Sequence, residues 1–582
     1  MSRSWSKNLS PNATVGLLLA AWWLLNLLQA ALTGLADDEA YYWYFAHHLD
    51  WGYFDHPPVV ALLVRLSLWV PISGLCVRLF TTLLQPAYLY IFWLLIKPER
   101  PRYGAALAYV AAAFSMPLLQ LYGFIATPDA PLLFGSVLFF AAFKSFAQRQ
   151  SVANTILLGL SAALLGYSKY HGLLVVVLAV ASRLQLLRKP QLYVAGAVAL
   201  VAFVPHLLWQ WRHDWVSFSY HLVGRNREWH LSFTTEYLLN LLLVFNPLWL
   251  WHYWRGVKPM ATADPLRRAL AFVGVGFPVF FLFSTLRGHA QPQCLLPAVL
   301  PSLCAVSDAE AWQGSRRYFR VVVVASAILF VAVRVLAVTN PFGLKGQIWN
   351  NEKAYKEISD LADGRPVVFM ASYTAPAKYM IYTGGEAYSA PFFFGRGSQW
   401  QYDTTDHTFA GREVLVANFT NTMCQKAELA NGQTLRYCVI ENYKPMRELR
   451  AAWVGPAEVS SQVADSGLNH LDLTIAVVNP YPYDIYSTER DTIRVQLSVK
   501  GAERSWPSLR CVLTDTLVAH DTTLISCHMA VPAKLQPGQY EGVISIGYKT
   551  YMPSACSKPL KVRFEKNDKE VVLLRYDVEK NM

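Results

Sequence analysis

The sequence predicts a polytopic α-helical membrane domain followed by an extracytoplasmic α/β module and a C-terminal β-sandwich. Three observations carry this reading. Of the 582 residues, 54% are hydrophobic and 15% charged, which is too apolar for an ordinary soluble multidomain chain. Between residues 13 and 338 the apolar residues gather in repeated runs of about 16 to 22, the length that crosses a bilayer core as a helix. Beyond 339 the pattern is that of a soluble protein, and from about Ala451 it becomes short, regular alternation. The domains expected are therefore 1–338, 339–446 and 447–582.

Arg3 and Lys7 stand before the first apolar run, from about Val15 to Leu35. That run lacks a small-residue cleavage site and is expected to remain as a signal anchor. Further spans are predicted at 76–96, 104–121, 130–147, 153–168, 171–187, 191–209, 236–254, 269–286, 293–307 and 320–338, about eleven in all. The run at 58–70 follows Pro57-Pro58, stops at Pro71 and carries Arg65, which predicts a helix lying along the interface.

Charge orients these spans. With the N-terminus in the cytoplasm, the inner loops hold seventeen basic residues from Arg3 to Arg320, and the outer side holds seven: Arg65, Arg78, Lys169, Arg212, Arg225, Arg227 and Arg287. This positive-inside bias places residues 35–65 and everything past 338 outside the cytoplasm, facing the periplasm in a bacterial inner membrane. The net charge of +12 thus reports topology, and no nucleic-acid partner is expected.

In the soluble part, NNEKAYKEISDLAD reads as an amphipathic helix, and PVVFMAS and GREVLVANF read as buried strands. MCQKAELANGQTLRYCVI centres on Asn431-Gly432, a hairpin signal, with Cys424 and Cys438 on either side as a disulfide or as two free thiols. LDLTIAVV, TIRVQLSV, RCVLTD, GQYEGVISIGY and LKVRFE predict a sandwich of about seven strands. RGSQWQYD, with Arg396 and Trp400 expected at the surface, is a candidate sugar-facing loop. The eight cysteines show neither CxxC nor zinc spacing, and Cys76, Cys294 and Cys304 read as packing residues.

One stretch concentrates reactive groups. LADDEAYYWYFAHHLDWGYFDHPPVVALLVR, residues 35–65, holds Asp37, Asp38, Glu39, Asp50 and Asp55 together with His47, His48 and His56. A lone acid there would be the polar end of a span, and the aromatics Tyr41 to Phe45 fit an interfacial belt. Three acids in succession are harder to dismiss. Other outer loops supply Asp129 in TPDAP, Lys169 and Tyr170 in SKYH, the segment WQWRHDWVSFSYHLVGRNREWH at 209–230, and Arg287 and His289 in RGHAQPQ.

The order DDEAYYWY, WGYFDHPPVVALLVRL, CVRLF, ATPDAPLLF and SKYHGLL closely resembles the polytopic glycosyltransferases of the C-type fold (GT-C). The likeness is to the protein O-mannosyltransferase-like family and the bacterial lipid A aminoarabinose transferases. It covers roughly residues 13–300 and weakens beyond. It implies sugar transfer outside the cytoplasm, with inversion, from a polyprenyl-phosphate-linked donor to lipid A, another glycolipid or glycan, or a protein. Such a reaction needs a base for the acceptor proton and cations for the leaving phosphate.

The resemblance assigns the base to Asp38, with Asp37 and Glu39 as alternates. Asp129 shares the base role or orients the acceptor, and reads equally well as the cap of the following helix. Lys169 is the expected phosphate ligand, or else a snorkelling lysine. Arg78, Arg212, Arg225, Arg227 and Arg287 are further candidates for the same head group, with Tyr53, Tyr170 and His289 as substrate-binding residues. His56 stands where the aminoarabinose transferases carry lysine, and His289 lacks the tryptophan that follows histidine in relatives. No cofactor is certain; a divalent cation, if used, would draw on Asp37, Asp38, His47, His48 and His56. Two rival classes stay open: a transporter or flippase of lipid-linked sugars, and an envelope assembly or binding protein.

Overall fold

Helices make up most of the described residues in the first part of the chain. The computed structural model describes residues 9–576 apart from 72–73, 99–100, 225–228, 308–315, 371, 391–396, 419–424, 457, 461, 464–468, 490, 500–507, 532–535, 549–553 and 567–571. It divides into two units, Met1–Asn350 and Asn351–Met582.

In the first unit, α1 (Pro11–Leu32) starts at Ser10, whose side chain accepts from Ala13 N, with proline at the first helical position. The unit continues with α2 (Asp37–His47), α3 (Val59–Ser67), α4 (Leu75–Ile96), α5 (Tyr103–Phe114), α6 (Pro117–Leu121), α7 (Asp129–Gln148) and α8 (Val152–Ser168). After these come α9 (Gly172–Ala181), α10 (Pro190–Arg212), α11 (Val216–Ser219), α12 (Leu231–Val244), α13 (Leu250–Met260), α14 (Pro265–Ser284), α15 (Leu296–Ser307) and α16 (Arg316–Thr339). Six of these described helices, α1, α4, α7, α10, α14 and α16, are long and apolar enough to cross a membrane, and shorter apolar helices pack beside them. A shared core runs through Phe92, Tyr109, Phe140, Phe143, Trp249 and Phe277.

Two predicted elements are instructive. The run at 58–70 forms a helix, α3, with Val60, Ala61, Val64 and Ser67 buried and Leu62 and Leu66 exposed. The span predicted at 236–254 is not one helix. It breaks at Asn246, whose φ is 53° and whose side-chain amide donates to Ser115 O at 2.9 Å and Ser326 Oγ at 3.0 Å. Pro247 then starts a new direction.

The second unit opens with α17 (Asn351–Ala362), β1 (Val367–Met370), α18 (Ala375–Thr383), β2 (Ala387–Ala390), β3 (Val414–Asn418), β4 (Gln425–Glu428) and β5 (Thr434–Ile440). Its first sheet has the order β2-β1-β3-β5-β4, with β1 parallel to both neighbours and the Asn431-Gly432 hairpin joining β4 to β5. Cys438 is disulfide-bonded; Cys424, its expected partner, lies outside the described residues, as does Arg396. Trp400, expected at the surface, is buried, with its indole N–H donating to Tyr373 O at 2.9 Å.

Then follow β6 (Arg450–Trp453), β7 (Glu458–Ser460), β8 (Gln462–Val463), β9 (Asn469–Val478), β10 (Ile493–Val499), β11 (Ser508–Val512), β12 (Thr522–Ala530), β13 (Gly538–Tyr548), β14 (Ser554–Ala555), β15 (Leu560–Lys566) and β16 (Val572–Tyr576). They form one sheet ordered β6-β9-β12-β11-β10-β13-β15-β16-β7, with β14 on β13 and β8 on β9. Because β7 pairs with β16 while β8, next in sequence, pairs with β9, the sheet wraps back on itself.

Packing in the membrane unit depends on small residues. A Cβ on Gly159 of α8 would sit 2.5 Å from Ala195 O of α10. Gly159→Leu should therefore cost about 1–3 kcal/mol by forcing α8 and α10 apart. Thermal melting in detergent checks this, and an unchanged midpoint would show that the two helices do not meet at Gly159.

Candidate active site

Two loop corners and one buried ion pair gather the acids that the sequence singled out. The first corner is the turn from α1 into α2. Gly34 permits it, since a Cβ there would lie 2.4 Å from Ile348 O. The next helix opens with Asp37, Asp38 and Glu39, carboxylates that the unpaired N–H groups of a helix start favour.

Glu39 turns inward. Its Oε2 accepts from Ala36 N at 2.9 Å and from Arg78 Nη2, and its Oε1 accepts from Arg78 Nε at 2.6 Å and from Ala126 N at 2.8 Å. Arg78 completes its set with Nη1 to Ala30 O at 2.9 Å and Thr33 O at 2.8 Å, and Nη2 to Gly34 O at 2.9 Å. All five guanidinium N–H groups are thereby used, and both residues are at 0% exposure. The expectation that Arg78 holds a phosphate does not fit this geometry, nor does Glu39 as an alternate base, because each is saturated by the other and by backbone. Asp38, one residue before Glu39, is instead exposed, and Asp37 is half-buried with its N–H 3.5 Å from Gln347 Oε1.

The second corner is the connector from α6 to α7. Ala126 N, held by Glu39, fixes it three residues before Asp129, the first residue of α7. Asp129 is buried and pairs with Lys169 Nζ at 2.7 Å. Lys169 ends α8 in an extended conformation, a helix terminus that suits a cation. Its ammonium spends one of three N–H groups on Asp129 among the described residues. On the same connector Tyr122 is half-buried; burial, then nearby Asp129, Cys294 and Asp38, hold its phenol well above the usual range.

Next to Lys169, Tyr170 begins a wall of rings. His206 Nδ1 lies 2.7 Å from Trp51 O, so that nitrogen carries the proton and Nε2 accepts from the Tyr170 hydroxyl at 3.1 Å. The hydroxyl also accepts from Gln210 Nε2 at 3.1 Å. Tyr53 is likewise committed: its hydroxyl donates to Phe45 O at 3.1 Å or His48 O at 3.2 Å, and its ring stacks on Phe45 at 4.0 Å. Neither tyrosine therefore offers a spare hydroxyl to a substrate, as the sequence suggested, though the Tyr170 ring faces His221 at 5.5 Å. Half-buried His56 sits between the rings of Tyr42, at 5.6 Å, and His221, at 6.4 Å.

Other expected residues lie elsewhere. Arg212 and Arg287 are exposed, and His289 pairs with Glu236 at 2.8 Å. Arg225 and Arg227 fall outside the described residues. The metal set does not come together. Asp37 and Asp38 open α2 and His47 closes it, about 15 Å away along the axis. Among the described residues no three His, Cys, Asp or Glu groups gather to hold an ion. Sequence reading missed Tyr122, His206, Gln210 and the backbone of Ala126, whose only sequence mark is proximity to TPDAP and to the aromatic loops.

If the pair is structural, Arg78→Met should lower stability by about 3–5 kcal/mol, the penalty for stranding a buried charge. Glu39→Gln combined with Arg78→Met should cost less than the two singles added. Melting of the three variants decides it; additive single effects would deny the coupling.

Residues 55–209 match the family model described as dolichyl-phosphate-mannose-protein mannosyltransferase. A lipid A galacturonosyltransferase, RgtD, of Rhizobium johnstonii is 28% identical over 202 residues, 33% of this chain and 42% of that protein; the match thus spans less than half of that relative's length. Structures of ArnT from Cupriavidus metallidurans superpose with TM-scores of 0.52 in the apo state and 0.51 bound to undecaprenyl phosphate. Each is 14% identical and covers 72% of this chain and 97% of that chain. The overlap shows a shared fold.

Proposed function

We propose, taking as premise that residues 55–209 form a domain of that mannosyltransferase family and that this multi-pass membrane protein has the C-type glycosyltransferase fold, that the chain transfers a sugar from a polyprenyl phosphate to an envelope glycolipid of the lipid A class. The observation that carries the reading is the Lys169–Asp129 pair, whose connector is held through Ala126 N by Glu39 at the α2 start that presents Asp38. In this reaction the acceptor oxygen attacks the anomeric carbon as the bond from that carbon to the phosphate oxygen breaks. The acceptor proton goes to a carboxylate, the polyprenyl phosphate leaves with the bonding pair, and the anomeric configuration inverts.

Asp38 suits the base. It is exposed where a substrate can reach it, while Glu39 beside it is locked and fixes its position. Lys169 suits the phosphate, because two of its N–H groups are uncommitted among the described residues and its charge is mostly shielded from water. Asp129 then holds Lys169 in place and keeps the site close to neutral before the lipid arrives. The positive-inside bias of the loops supports a site on the non-cytoplasmic side of a bacterial inner membrane, where the sugar arrives on a lipid.

Purified protein in detergent, supplied with a radiolabelled polyprenyl-phosphate sugar and a membrane lipid extract, should release polyprenyl phosphate and label a lipid. Asp38→Asn should lower turnover by about 10²- to 10⁴-fold with no change in melting. Turnover equal to wild type would remove Asp38 from the base role. Lys169→Met should lower kcat/KM by about 10- to 100-fold through loss of a charge-assisted phosphate contact. In the same assay, a wild-type response to the lipid donor would exclude that contact.

A further inference from the structure

The last membrane helix lies outside the 55–209 domain, yet the helix and the segment that follows it border both carboxylate-bearing corners. Much of α16 is exposed and apolar, as at Val324, Ile328, Leu329 and Val331. Arg334 departs from this pattern: it is 7% exposed, five residues or about 7 Å from the end of the helix. A buried arginine in a membrane helix is expensive and is kept where it has a task.

Its bonds show what it holds. Nε and Nη2 donate to Gln120 Oε1 at 3.1 and 3.0 Å, and Nη2 also donates to Gln120 O at 3.1 Å and Asn26 Oδ1 at 2.7 Å. These acceptors are uncharged, and Nη1 has no hydrogen-bond partner among the described residues. The guanidinium carbon lies 5.4 Å from the centre of the Phe124 ring, and that of Arg78 lies 5.9 Å from the same ring. Phe124 is therefore gripped by two cations, two residues before Ala126 and five before Asp129.

The chain after α16 reaches the other corner. Trp349 Nε1 donates to Ala337 O at 2.9 Å and folds the segment back on the helix. Gln347 Oε1 stands 3.5 Å from Asp37 N, and Ile348 O closes on Gly34. One element thus borders the Asp129 connector through Arg334 and the Asp37-Asp38-Glu39 turn through residues 347–348.

We propose that Arg334 is a positioning residue of the transfer reaction: it ties the connector that carries Asp129 to α16 and α1, and because residues 347–348 join the same chain to the turn that carries Asp38, α16 and the segment after it set the distance between the two carboxylates. This rests on the sugar-transfer reading above. Arg334 is buried against Gln120, Asn26 and Phe124, so its loss should disturb turnover and leave donor binding intact.

Arg334→Met should lower kcat by about a hundredfold, since small misplacements of reacting groups cost that much, while KM for the polyprenyl-phosphate sugar stays within about twofold. Arg334→Lys, which keeps the charge and reaches part of the Asn26 and Gln120 oxygens, should recover part of the loss. Hydrogen–deuterium exchange of Arg334→Met should speed up at residues 122–128 and 34–40 and stay as in wild type in α8 and α10. Wild-type kcat in Arg334→Met, or unchanged exchange at 122–128, overturns the proposal, as does a kcat loss accompanied by faster exchange in every membrane helix. If wild-type protein transfers no sugar from this donor, the functional reading fails. The exchange comparison then still decides whether Arg334 holds the connector, and a folding failure of Arg334→Met leaves the same measurement to Arg334→Lys.

Discussion

Everything near the site depends on the Glu39–Arg78 pair. Taking a guanidinium and a carboxylate out of water is unfavourable unless every polar hydrogen and lone pair finds a partner. Here the partners are complete: backbone oxygens of Ala30, Thr33 and Gly34, backbone N–H groups of Ala36 and Ala126, and each other. The turn from α1 into α2, α4 and the α6–α7 connector, three segments distant in sequence, meet there. Both side chains are buried in protein, away from water that could replace a lost bond, so the corner forms as a whole. Asp38 and Asp129 inherit their places from it.

The run Asp37-Asp38-Glu39 shows how helix geometry divides labour among similar side chains. Successive residues point about 100° apart around the axis, so three adjacent carboxylates cannot share one environment. Glu39 is fully buried, Asp37 half-buried and Asp38 exposed. Glutamate, longer by one methylene, is the residue that reaches Arg78 across to α4, and the shorter aspartate stays near its own helix start. A similar split occurs at the end of α8, where Lys169 goes to Asp129 and Tyr170 goes to His206 and Gln210.

Much of the helical layout was legible because bilayer-length apolar runs have few alternatives, and α3 was legible from its prolines and its amphipathic face. The break at Asn246 was not, because its cause is two acceptors 131 and 80 residues away. The motifs located the right loops and misjudged what several of their side chains do. CVRLF reveals a cation near the acids, but only the folded positions of Ala30, Thr33 and Gly34, 44 to 48 residues away, show that its donors are spent. Tyr53 and Tyr170 look like substrate-binding residues in sequence, and their hydroxyls are consumed by loops and helices that no local pattern names. Trp400 sits among polar neighbours in sequence, and its burial comes from Tyr388, whose ring meets it edge-on at 5.8 Å. Local chemistry was readable; satisfaction of polar groups was not, since it is a long-range property.

The wall beside the corner is built on different terms. Asp214 and Trp215 both adopt left-handed backbone, with φ of 53° and 55°, which costs a bulky residue about 1–3 kcal/mol. The strain persists because Gln210 holds the turn from both sides: its carbonyl accepts from Trp215 N at 2.7 Å, and its side-chain amide donates to Ser217 Oγ at 2.6 Å. Ser217 Oγ in turn donates to Tyr53 O at 2.8 Å, and His221 Nε2 reaches Asp55 O at 2.9 Å. The turn after α10 is thereby sewn to the loop that carries His56. These bonds and those of the Glu39–Arg78 corner approach each other at the peptide bond between Lys169 and Tyr170. On the proposed reading, the rings of His56, Tyr170 and His221 can then differ to suit another sugar or acceptor while the acids stay where the buried ion pair puts them. The two sets of bonds that place the rings and the acids are separate.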